Sequence, residues 1–372
     1  MAALYPVLLM SQSLDAGGSE RQLTEIARNL DRSRFVPHVA CFRDGGMRLD
    51  ELRRAGVPVL RLSISSFRSP GALRAVGILR RYVRENGIQL LHTFDPPSSL
   101  WGVPAGRLLR IPVILSSQRG ARSLRGSGFR HFARLTDRIA DGIVVNSLAV
   151  RDSLIREDGV PPGRIHLCYN GIDLDRFHAR RAPRPAKGPV VIAFIGVLRR
   201  EKDLGTLLEA VGRLHLPGSE IRLRLIGWGP ESDALKQRSR ALGIESICSF
   251  DPATGRVEDV LQSVDIFVLP SRSESLSNSL MEAMACGCAV IASRVGGNPE
   301  LVEHGQSGLL FDTGDSAGLA AMLRSVIEDP LLRERLGRNA AESVRRRFSV
   351  THSVEVMQRI YSEFRSAAGT LL

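Results

Sequence analysis

The sequence is poor in lysine and in aromatic residues. Lys187, Lys202 and Lys236 are the only lysines among 51 basic residues, so arginine carries nearly all of the net charge of +12. A basic surface suits nucleic acid, an anionic membrane face or a phosphorylated substrate, and a merely solubilising surface is the alternative. Aromatic residues make up only 5% and do not alternate with the basic ones. Stacking platforms for single-stranded bases are therefore not expected, and we predict no nucleic-acid partner.

The chain also lacks a cysteine pattern typical of disulfides or of a metal site. Its five cysteines are odd in number and show no metal-ligand spacing. We expect all of them to be small core residues in a reducing compartment: Cys41, Cys168, Cys248, Cys286 and Cys288.

No apolar run approaches the length of a membrane span. The run from Leu4 to Met10 has no charged start and is too short for an export signal, so it is interpreted as a first strand. These absences predict a cytoplasmic protein, with a peripheral position at the inner face of the cytoplasmic membrane as a further possibility.

Short apolar runs alternate with helical periods, which is typical of doubly wound parallel sheets. The predicted strands are Val7–Met10, Phe35–Cys41, Val59–Leu62, Leu90–Thr93, Val113–Leu115, Gly142–Val145, Ile165–Cys168, Val190–Phe194, Leu223–Ile226, Ser246–Phe250, Ile266–Leu269, Ala289–Ala292 and Leu309–Phe311. Between the two series, residues 179–189 are rich in proline and charge and are interpreted as a linker. The pattern therefore predicts an α/β protein with one domain over residues 1–180, a second over 181–350 and a C-terminal helix within 351–372.

The stretch from Ser271 to Glu300 organises the candidate site. It predicts a strand, a polar loop, a helix over Ser279–Cys286, a second strand and a glycine-rich loop, which together form one βαβ unit. A polar loop that opens a helix leaves backbone N–H groups for an anion. Glu282 on the helix could accept from a ribose diol, and Glu274 in the loop could reach a sugar on the same ligand. Together these parts describe a site for a nucleotide sugar.

With Pro-Ser-Arg-Ser-Glu-Ser-Leu-Ser-Asn around Glu274 and Val-Gly-Gly-Asn-Pro-Glu after the helix, the stretch resembles the E-x7-E signature of the retaining family-4 glycosyltransferases. The resemblance implies the GT-B fold, with two Rossmann-like domains facing a central cleft and a last helix, Val350–Ala367, packed back on the N-terminal half. It also implies sugar transfer from a nucleotide-diphosphate sugar to a glycan or lipid-linked acceptor, in polysaccharide or glycolipid biosynthesis. A phosphorylase or synthase on the same fold and a non-catalytic sugar or lipid binder are the alternatives.

The same resemblance implies roles for individual residues. Glu282 would hold the ribose, and Glu274 would bind hydroxyls of the donor sugar. Val197 stands where the family usually has a diphosphate-binding arginine, so Arg199 or Arg200 would supply the second cation beside Lys202. The remaining donor-binding residues are expected in a Gly-Gly loop after the first strand, in a loop that approaches the nucleotide and at the start of the Ser279–Cys286 helix: Gly17, Gly18, Gly227, Leu276, Ser277 and Asn278.

The resemblance implies that the anomeric configuration is retained, with Glu274, Lys202 and Arg199 at the reaction centre. Because no carboxylate is obviously placed as a covalent nucleophile, we expect a front-face displacement. His92 ends a strand at the acceptor side and would bind acceptor or transfer a proton; a partly buried histidine with a backbone partner is the alternative. Many relatives carry a histidine near Gln118 and Arg119, and this chain does not. The Asp173-Leu174-Asp175 stretch has the D-x-D form that holds a metal in another glycosyltransferase fold, but it lies in a turn before the linker. We predict no metal and no cofactor besides the donor substrate.

The stretch Arg119–Arg138 is rich in arginine interspersed with apolar residues, including Arg122, Leu124, Arg125, Phe129, Arg130 and Phe132. It predicts a loop followed by an amphipathic helix, a combination that binds anionic lipid head groups. The alternative is a helix that packs one face and exposes the other to solvent.

Overall fold

The computed structural model of the chain describes residues 4–15, 17–67, 69–120, 127–179, 188–214 and 220–369, without the side chains of 127–130. Most of the predicted linker, residues 180–187, therefore lies outside the described residues, as do Arg122, Leu124 and Arg125. The chain forms two compact units. The N-terminal unit comprises Met1–Gly171 with Val350–Leu372, and the C-terminal unit comprises Ile172–Ser349.

The N-terminal unit contains a parallel sheet in the order β3-β2-β1-β4-β5-β6-β7. Its strands are β1 (Tyr5–Ser11), β2 (Phe35–Cys41), β3 (Val59–Arg61), β4 (Leu90–Thr93), β5 (Val113–Gln118), β6 (Gly142–Val145) and β7 (Ile165–Leu167). Its helices are α1 (Gly18–Asn29), α2 (Arg48–Arg54), α3 (Pro70–Glu85), α4 (Pro96–Leu108), α5 (Ser127–Ile139), α6 (Leu148–Asp158) and, from the end of the chain, α14 (Val350–Gly369).

The two faces of this sheet bury different side chains because neighbouring strand residues point to opposite sides. Val7 and Leu9 of β1 share a core with the inner faces of α1, α2 and α14, where Met357 and Tyr361 are buried. Leu8 of β1 faces the other core, to which α3 and α4 contribute. The last helix of the chain thus completes the core of the N-terminal unit.

The C-terminal unit contains a second parallel sheet in the order β10-β9-β8-β11-β12-β13. Its strands are β8 (Val190–Ile195), β9 (Ile221–Ile226), β10 (Cys248–Asp251), β11 (Ile266–Leu269), β12 (Ala289–Ser293) and β13 (Leu309–Phe311). Its helices are α7 (Leu204–Gly212), α8 (Ser232–Ala241), α9 (Val257–Leu261), α10 (Asn278–Ala285), α11 (Asn298–Leu301), α12 (Ser316–Glu328) and α13 (Pro330–Arg347).

Two local expectations differ from the structure. The predicted strand Ser246–Phe250 begins as a 3-10 turn over Glu245–Ile247, and strand β10 follows it. Cys248, predicted to be a core residue, is only half-buried because β10 is an edge strand, whereas the other four cysteines are buried. Helix α4 contains Pro104 in its interior, where proline is unfavourable. It forms because Asp95 caps it, accepting from the backbone N–H of Ser98.

The close approach of α13 to the backbone at Gly287 can be tested by glycine substitution. A Cβ atom at Gly337 of α13 would lie 2.2 Å from the carbonyl oxygen of Gly287, whereas a Cβ at Gly77 of α3 would meet nothing within 4 Å. Gly337→Ala should therefore destabilise the protein by about 1–3 kcal/mol through overpacking. Gly77→Ala should stabilise it by about 0.5–1 kcal/mol, because alanine loses less backbone entropy in a helix. Chemical denaturation of both variants checks this, and equal effects would contradict the packing described.

Candidate functional site

The C-terminal sheet places two loops from distant parts of the sequence side by side. Strands β8 and β11 are hydrogen-bonded neighbours, although β9 and β10 lie between them in the chain. On one side of this pair the sheet continues with β9 and β10, and on the other side with β12 and β13. Parallel sheets bind ligands at such a switch point, beyond the carboxyl ends of the strands. The loops after β8 and β11 are the ones that carry Lys202 and Glu274.

An ion pair joins these two loops. Nζ of Lys202 lies 2.5 Å from Oε1 of Glu274, and the Ser271 hydroxyl donates to the same oxygen at 2.7 Å. The side chains of Lys202 and Glu274 are only 22% and 11% exposed, so water screens the pair poorly. The two residues predicted to act on the donor diphosphate and sugar are thus brought together by the fold.

The backbone around Glu274 is held from both sides. The backbone N–H of Arg272 donates to the carbonyl of Glu201 at 2.8 Å, and the Arg272 guanidinium lies 3.0 Å from Asp203. On the opposite side stands Gly296, with φ +51°, where a Cβ would lie 1.7 Å from the carbonyl oxygen of Glu274. Only a residue without a side chain allows this approach, so the position of Glu274 depends on both neighbouring loops.

Helix α10 begins directly beyond Glu274. The Ser277 hydroxyl accepts from the backbone N–H of Leu280 at 3.3 Å and caps the helix that starts at Asn278. Leu276 is buried, and Glu282 is 7% exposed one turn into the helix. The predicted signature therefore consists of a carboxylate before a helix start and a buried carboxylate within that helix.

The loops after β8 and β9 pack backbone against backbone. Gly227, with φ +144°, lies so close to Gly196 that a Cβ would be 1.9 Å from its carbonyl oxygen, and Gly229 makes a similar approach to Leu198. Gly227 thus belongs to the same loop cluster as Lys202, whereas the side chain of Trp228 is 67% exposed. The glycines let several chain segments converge at one edge of the sheet.

Arg199 and Arg200 are exposed and differ in setting from Lys202. The Arg199 side chain is 56% exposed and lies 3.8 Å from Glu201. Both arginines line a cavity of about 240 Å³ beside α8, together with Arg238 and Arg272. Lys202 and Glu274 do not line this cavity. Lys202 contacts Glu274, whereas Arg199 and Arg200 belong to the neighbouring cavity.

Comparisons with known proteins match both units. The family described as Glycosyltransferase Family 4 matches residues 16–176, and the family described as Glycosyl transferases group 1 matches residues 175–343. The chain belongs to glycosyltransferase family 4.

Curated relatives carry several different names. A D-inositol 3-phosphate glycosyltransferase from Saccharomonospora viridis is 35% identical over 251 residues, which are 63% of this chain and 58% of that protein. An N-acetyl-alpha-D-glucosaminyl L-malate synthase from Bacillus anthracis is 32% identical over 223 residues, which are 57% of this chain and 58% of that protein. The chain thus spans little more than half the length of the curated relatives it matches.

Solved structures confirm the predicted GT-B fold. HepE of Anabaena in complex with UDP superimposes with a TM-score of 0.83 at 23% identity, covering 97% of this chain and 100% of that one. Sucrose-phosphate synthase from Thermosynechococcus elongatus gives a TM-score of 0.83 at 20% identity, covering 98% and 100% of the two chains. At this level of identity the likeness concerns the fold.

In this family-4 chain the Gly-Gly loop leads into α1. Gly17 is the N-cap residue of α1 and Gly18 is the first residue of the helix. Because both are glycines, they can contribute only backbone groups to a ligand site. The loop after β1 is tied to the loop after β4 by Asp95, which accepts from the Ser11 hydroxyl at 2.5 Å and from the backbone N–H of Gln12 at 2.6 Å. Burial raises the pKa of Glu20 on the first turn of α1.

The catalytic role predicted for His92 is not supported. The His92 side chain is fully buried, with Nδ1 2.7 Å from the Tyr361 hydroxyl and Nε2 2.9 Å from the Ser117 hydroxyl. Burial holds its pKa well below 6.5, so the ring stays neutral. The Nδ1 contact connects α14 to the sheet, whereas the Nε2 contact connects β4 to its neighbour β5. The sequence did not indicate the first contact because Tyr361 lies 269 residues away.

Arg119, directly after β5, is also fixed by its neighbours. Its guanidinium donates to Asn170 Oδ1 at 2.7 Å and lies 5.0 Å from the centre of the Phe94 ring. Burial lowers the pKa of Arg119 to about 10, so the side chain remains cationic. Arg119 thus joins the ends of β4, β5 and β7.

Neither a metal site nor a membrane span is found in the described part of the chain. No group of three or more His, Cys, Asp or Glu side chains there could hold a metal ion. Within the same ranges, no helix is both long and apolar enough to cross a membrane.

The buried histidine predicts a pH dependence of stability. Because the pKa of His92 is lowered on folding, the unfolded chain binds its proton more readily, and the stability contribution is lost as the pH falls below about 6.5. The free energy of unfolding should therefore decrease between about pH 7.5 and pH 5, by up to about 1.4 kcal/mol per pH unit from this group.

Urea unfolding at several pH values measures this slope. His92→Gln should flatten it. An unchanged slope in His92→Gln would show that the titration lies elsewhere.

Proposed function

We propose that this chain is a retaining glycosyltransferase that moves a sugar from a nucleotide-diphosphate sugar to a glycan or lipid-linked acceptor. The observation that carries the proposal is the contact between Lys202 and Glu274 at the switch point of the C-terminal sheet. Membership of glycosyltransferase family 4 supports the reaction class. Retention of the anomeric configuration rests on the family resemblance.

The donor would lie along the loop edge of the C-terminal unit. Backbone N–H groups at the start of α10 and the ammonium of Lys202 would hold the diphosphate. Lysine has three donor hydrogens, so Lys202 can contact a phosphate oxygen without leaving Glu274. Glu282 would accept from the ribose hydroxyls, and Glu274 would accept from hydroxyls of the transferred sugar.

The chemistry would depend on positioning and charge. As the bond between the sugar and the diphosphate breaks, negative charge grows on the leaving oxygen, and Lys202 would stabilise it. Arg199 or Arg200 would supply a second cation, since Val197 cannot. The acceptor would attack from the face that the diphosphate leaves, and a diphosphate oxygen would take its proton. This route assigns no covalent nucleophile and no proton transfer to His92.

We further propose a uridine diphosphate sugar as the donor. Structures with this fold have been solved with UDP and with UDP-glucose bound, which supports this choice. A lipid-linked or polysaccharide acceptor and peripheral contact with the cytoplasmic membrane are proposed from the basic character of the chain.

Thermal unfolding in the presence of nucleotides tests the donor assignment. Ligands that bind only the folded state raise the unfolding temperature, so UDP and UDP-sugars should raise it, and GDP and ADP should do so less. Incubation with a radiolabelled UDP-sugar and a mixture of candidate acceptors then tests transfer. If none of the nucleotides raises the unfolding temperature, the donor site is wrong.

Replacing Glu282 tests the ribose contact. Glu282→Ala removes hydrogen bonds to a charged acceptor, which contribute about 1.5–3 kcal/mol, and should weaken UDP binding about 10- to 100-fold. Glu334→Ala on α13 removes an exposed carboxylate of the same unit and serves as the matched control. Calorimetric titration measures both. Wild-type affinity and full transfer activity in Glu282→Ala would count against this assignment.

Substituting two glycines with positive φ distinguishes displacement of the Glu274 loop from general backbone strain. Gly296→Ala would push a Cβ into the Glu274 carbonyl, whereas Gly305, with φ +80°, has nothing within 4 Å of its Cβ position. Both substitutions strain the backbone by about 1 kcal/mol. Only Gly296→Ala should also displace Glu274 and lower transfer activity at least about tenfold, as loss of positioning does. Equal activities of the two variants would argue against a role of the Glu274 loop.

A further inference from the structure

The net charge of the chain lies almost entirely in one unit. The N-terminal unit has 27 Lys and Arg against 16 Asp and Glu, a net charge of +11. The C-terminal unit has 24 against 23, a net charge of +1. The proposed donor site lies in the nearly neutral unit, so binding of a nucleotide diphosphate does not account for the excess of arginine.

Within the N-terminal unit, helices α3, α4 and α5 differ in net charge from the helices on the opposite face of the sheet. Helices α3 and α4 pack on the core around Leu8, and α5 lies beside α4, where Arg107 donates to the Ile139 carbonyl at 2.9 Å. These three helices contain eight basic and two acidic residues, a net charge of +6. On the opposite face, α1, α2 and α14 contain seven basic and six acidic residues, a net charge of +1.

The same side exposes large apolar side chains between its arginines. On α3, Leu73 is 79% exposed and Ile78 is 45% exposed; on α4, Leu108 is 72% exposed. On α5, Phe132 and Leu135 are 60% and 48% exposed. Among the described residues, no large apolar side chain of α1, α2 or α14 is similarly exposed. Arginines interspersed with exposed apolar residues are the chemistry of helices that lie in a lipid interface.

We propose that the side of the N-terminal unit formed by α3, α4 and α5 docks on an anionic lipid bilayer. This inference rests on the membrane contact suggested under the proposed function, but not on the transfer reaction. Nucleic acid is the other polyanion that suits such charge, but it offers no apolar phase for Leu73 and Phe132, whereas a bilayer does.

The arginines of α3 are better placed for this contact than those of the stretch Arg119–Arg138. Arg119 is held by Asn170, and Arg134 pairs with Asp158 at 2.7 Å. Arg80 and Arg84 are exposed, and no ion pair to either is found in the described part of the chain. Each arginine near an anionic bilayer strengthens binding about fivefold, and salt weakens the effect.

Co-sedimentation of the full chain with lipid vesicles tests the inference. The protein should bind vesicles of mixed phosphatidylglycerol and phosphatidylcholine and bind pure phosphatidylcholine vesicles weakly, with loss of binding at high salt. The double variant Arg80→Glu/Arg84→Glu should reduce binding to the anionic vesicles at least about 25-fold. The matched control Arg53→Glu/Arg54→Glu makes the same charge change on α2, on the opposite face, and should change binding much less.

A second pair of variants tests the apolar contribution. Leu73→Asn should weaken vesicle binding about tenfold, because an exposed leucine would otherwise enter the lipid interface. Leu331→Asn is the control, since Leu331 is 78% exposed on α13 of the C-terminal unit and lies outside the proposed face. Equal effects of the two substitutions would overturn the assignment of this face.

Three further results would overturn the inference. They are equal binding to both kinds of vesicle, equal losses in the two charge-reversal variants, and binding to an RNA oligonucleotide without binding to vesicles. Thermal unfolding with UDP is measured on every variant. Stabilisation by UDP together with absent vesicle binding would refute the docking face alone and leave the transferase proposal standing.

Discussion

The candidate site depends on one adjacency, the pairing of β8 with β11. Because these strands are neighbours in a parallel sheet, the loops that leave their carboxyl ends emerge at the same edge. Lys202 and Glu274 can then meet at 2.5 Å, although 72 positions separate them in the chain. Without this strand order the cation and the carboxylate would belong to unrelated loops. The ligand chemistry proposed for the C-terminal unit follows from this topology.

Glycine makes the crowding at this edge possible. Gly227 lies against Gly196, and Gly296 lies against Glu274, each at a distance that a Cβ atom could not tolerate. The loops therefore support one another through backbone contacts. Rigid backbone support of this kind is what charge stabilisation in a reaction requires, because the donors need not reorganise.

The N-terminal unit uses polar residues at strand ends for a different purpose. His92 and Arg119 stand where the resemblance suggested contact with substrates, but their partners are Tyr361, Ser117 and Asn170. These contacts join the last helix and the strand ends into one core. Helices α3, α4 and α5 carry a net charge of +6, whereas α1, α2 and α14 on the opposite face of the sheet carry +1.

The sequence by itself determined the fold class, the positions of most strands and the signature around Glu274 and Glu282. These features are local: alternation of apolar runs with helical periods, a polar loop before a helix, and glycines after strands. Tertiary structure alone decided that Lys202 contacts Glu274, that His92 is buried under Tyr361, and that α3, α4 and α5 share one face of the N-terminal sheet. The physical reason is that strand order and helix packing fix long-range neighbours, and a sequence pattern records only near ones.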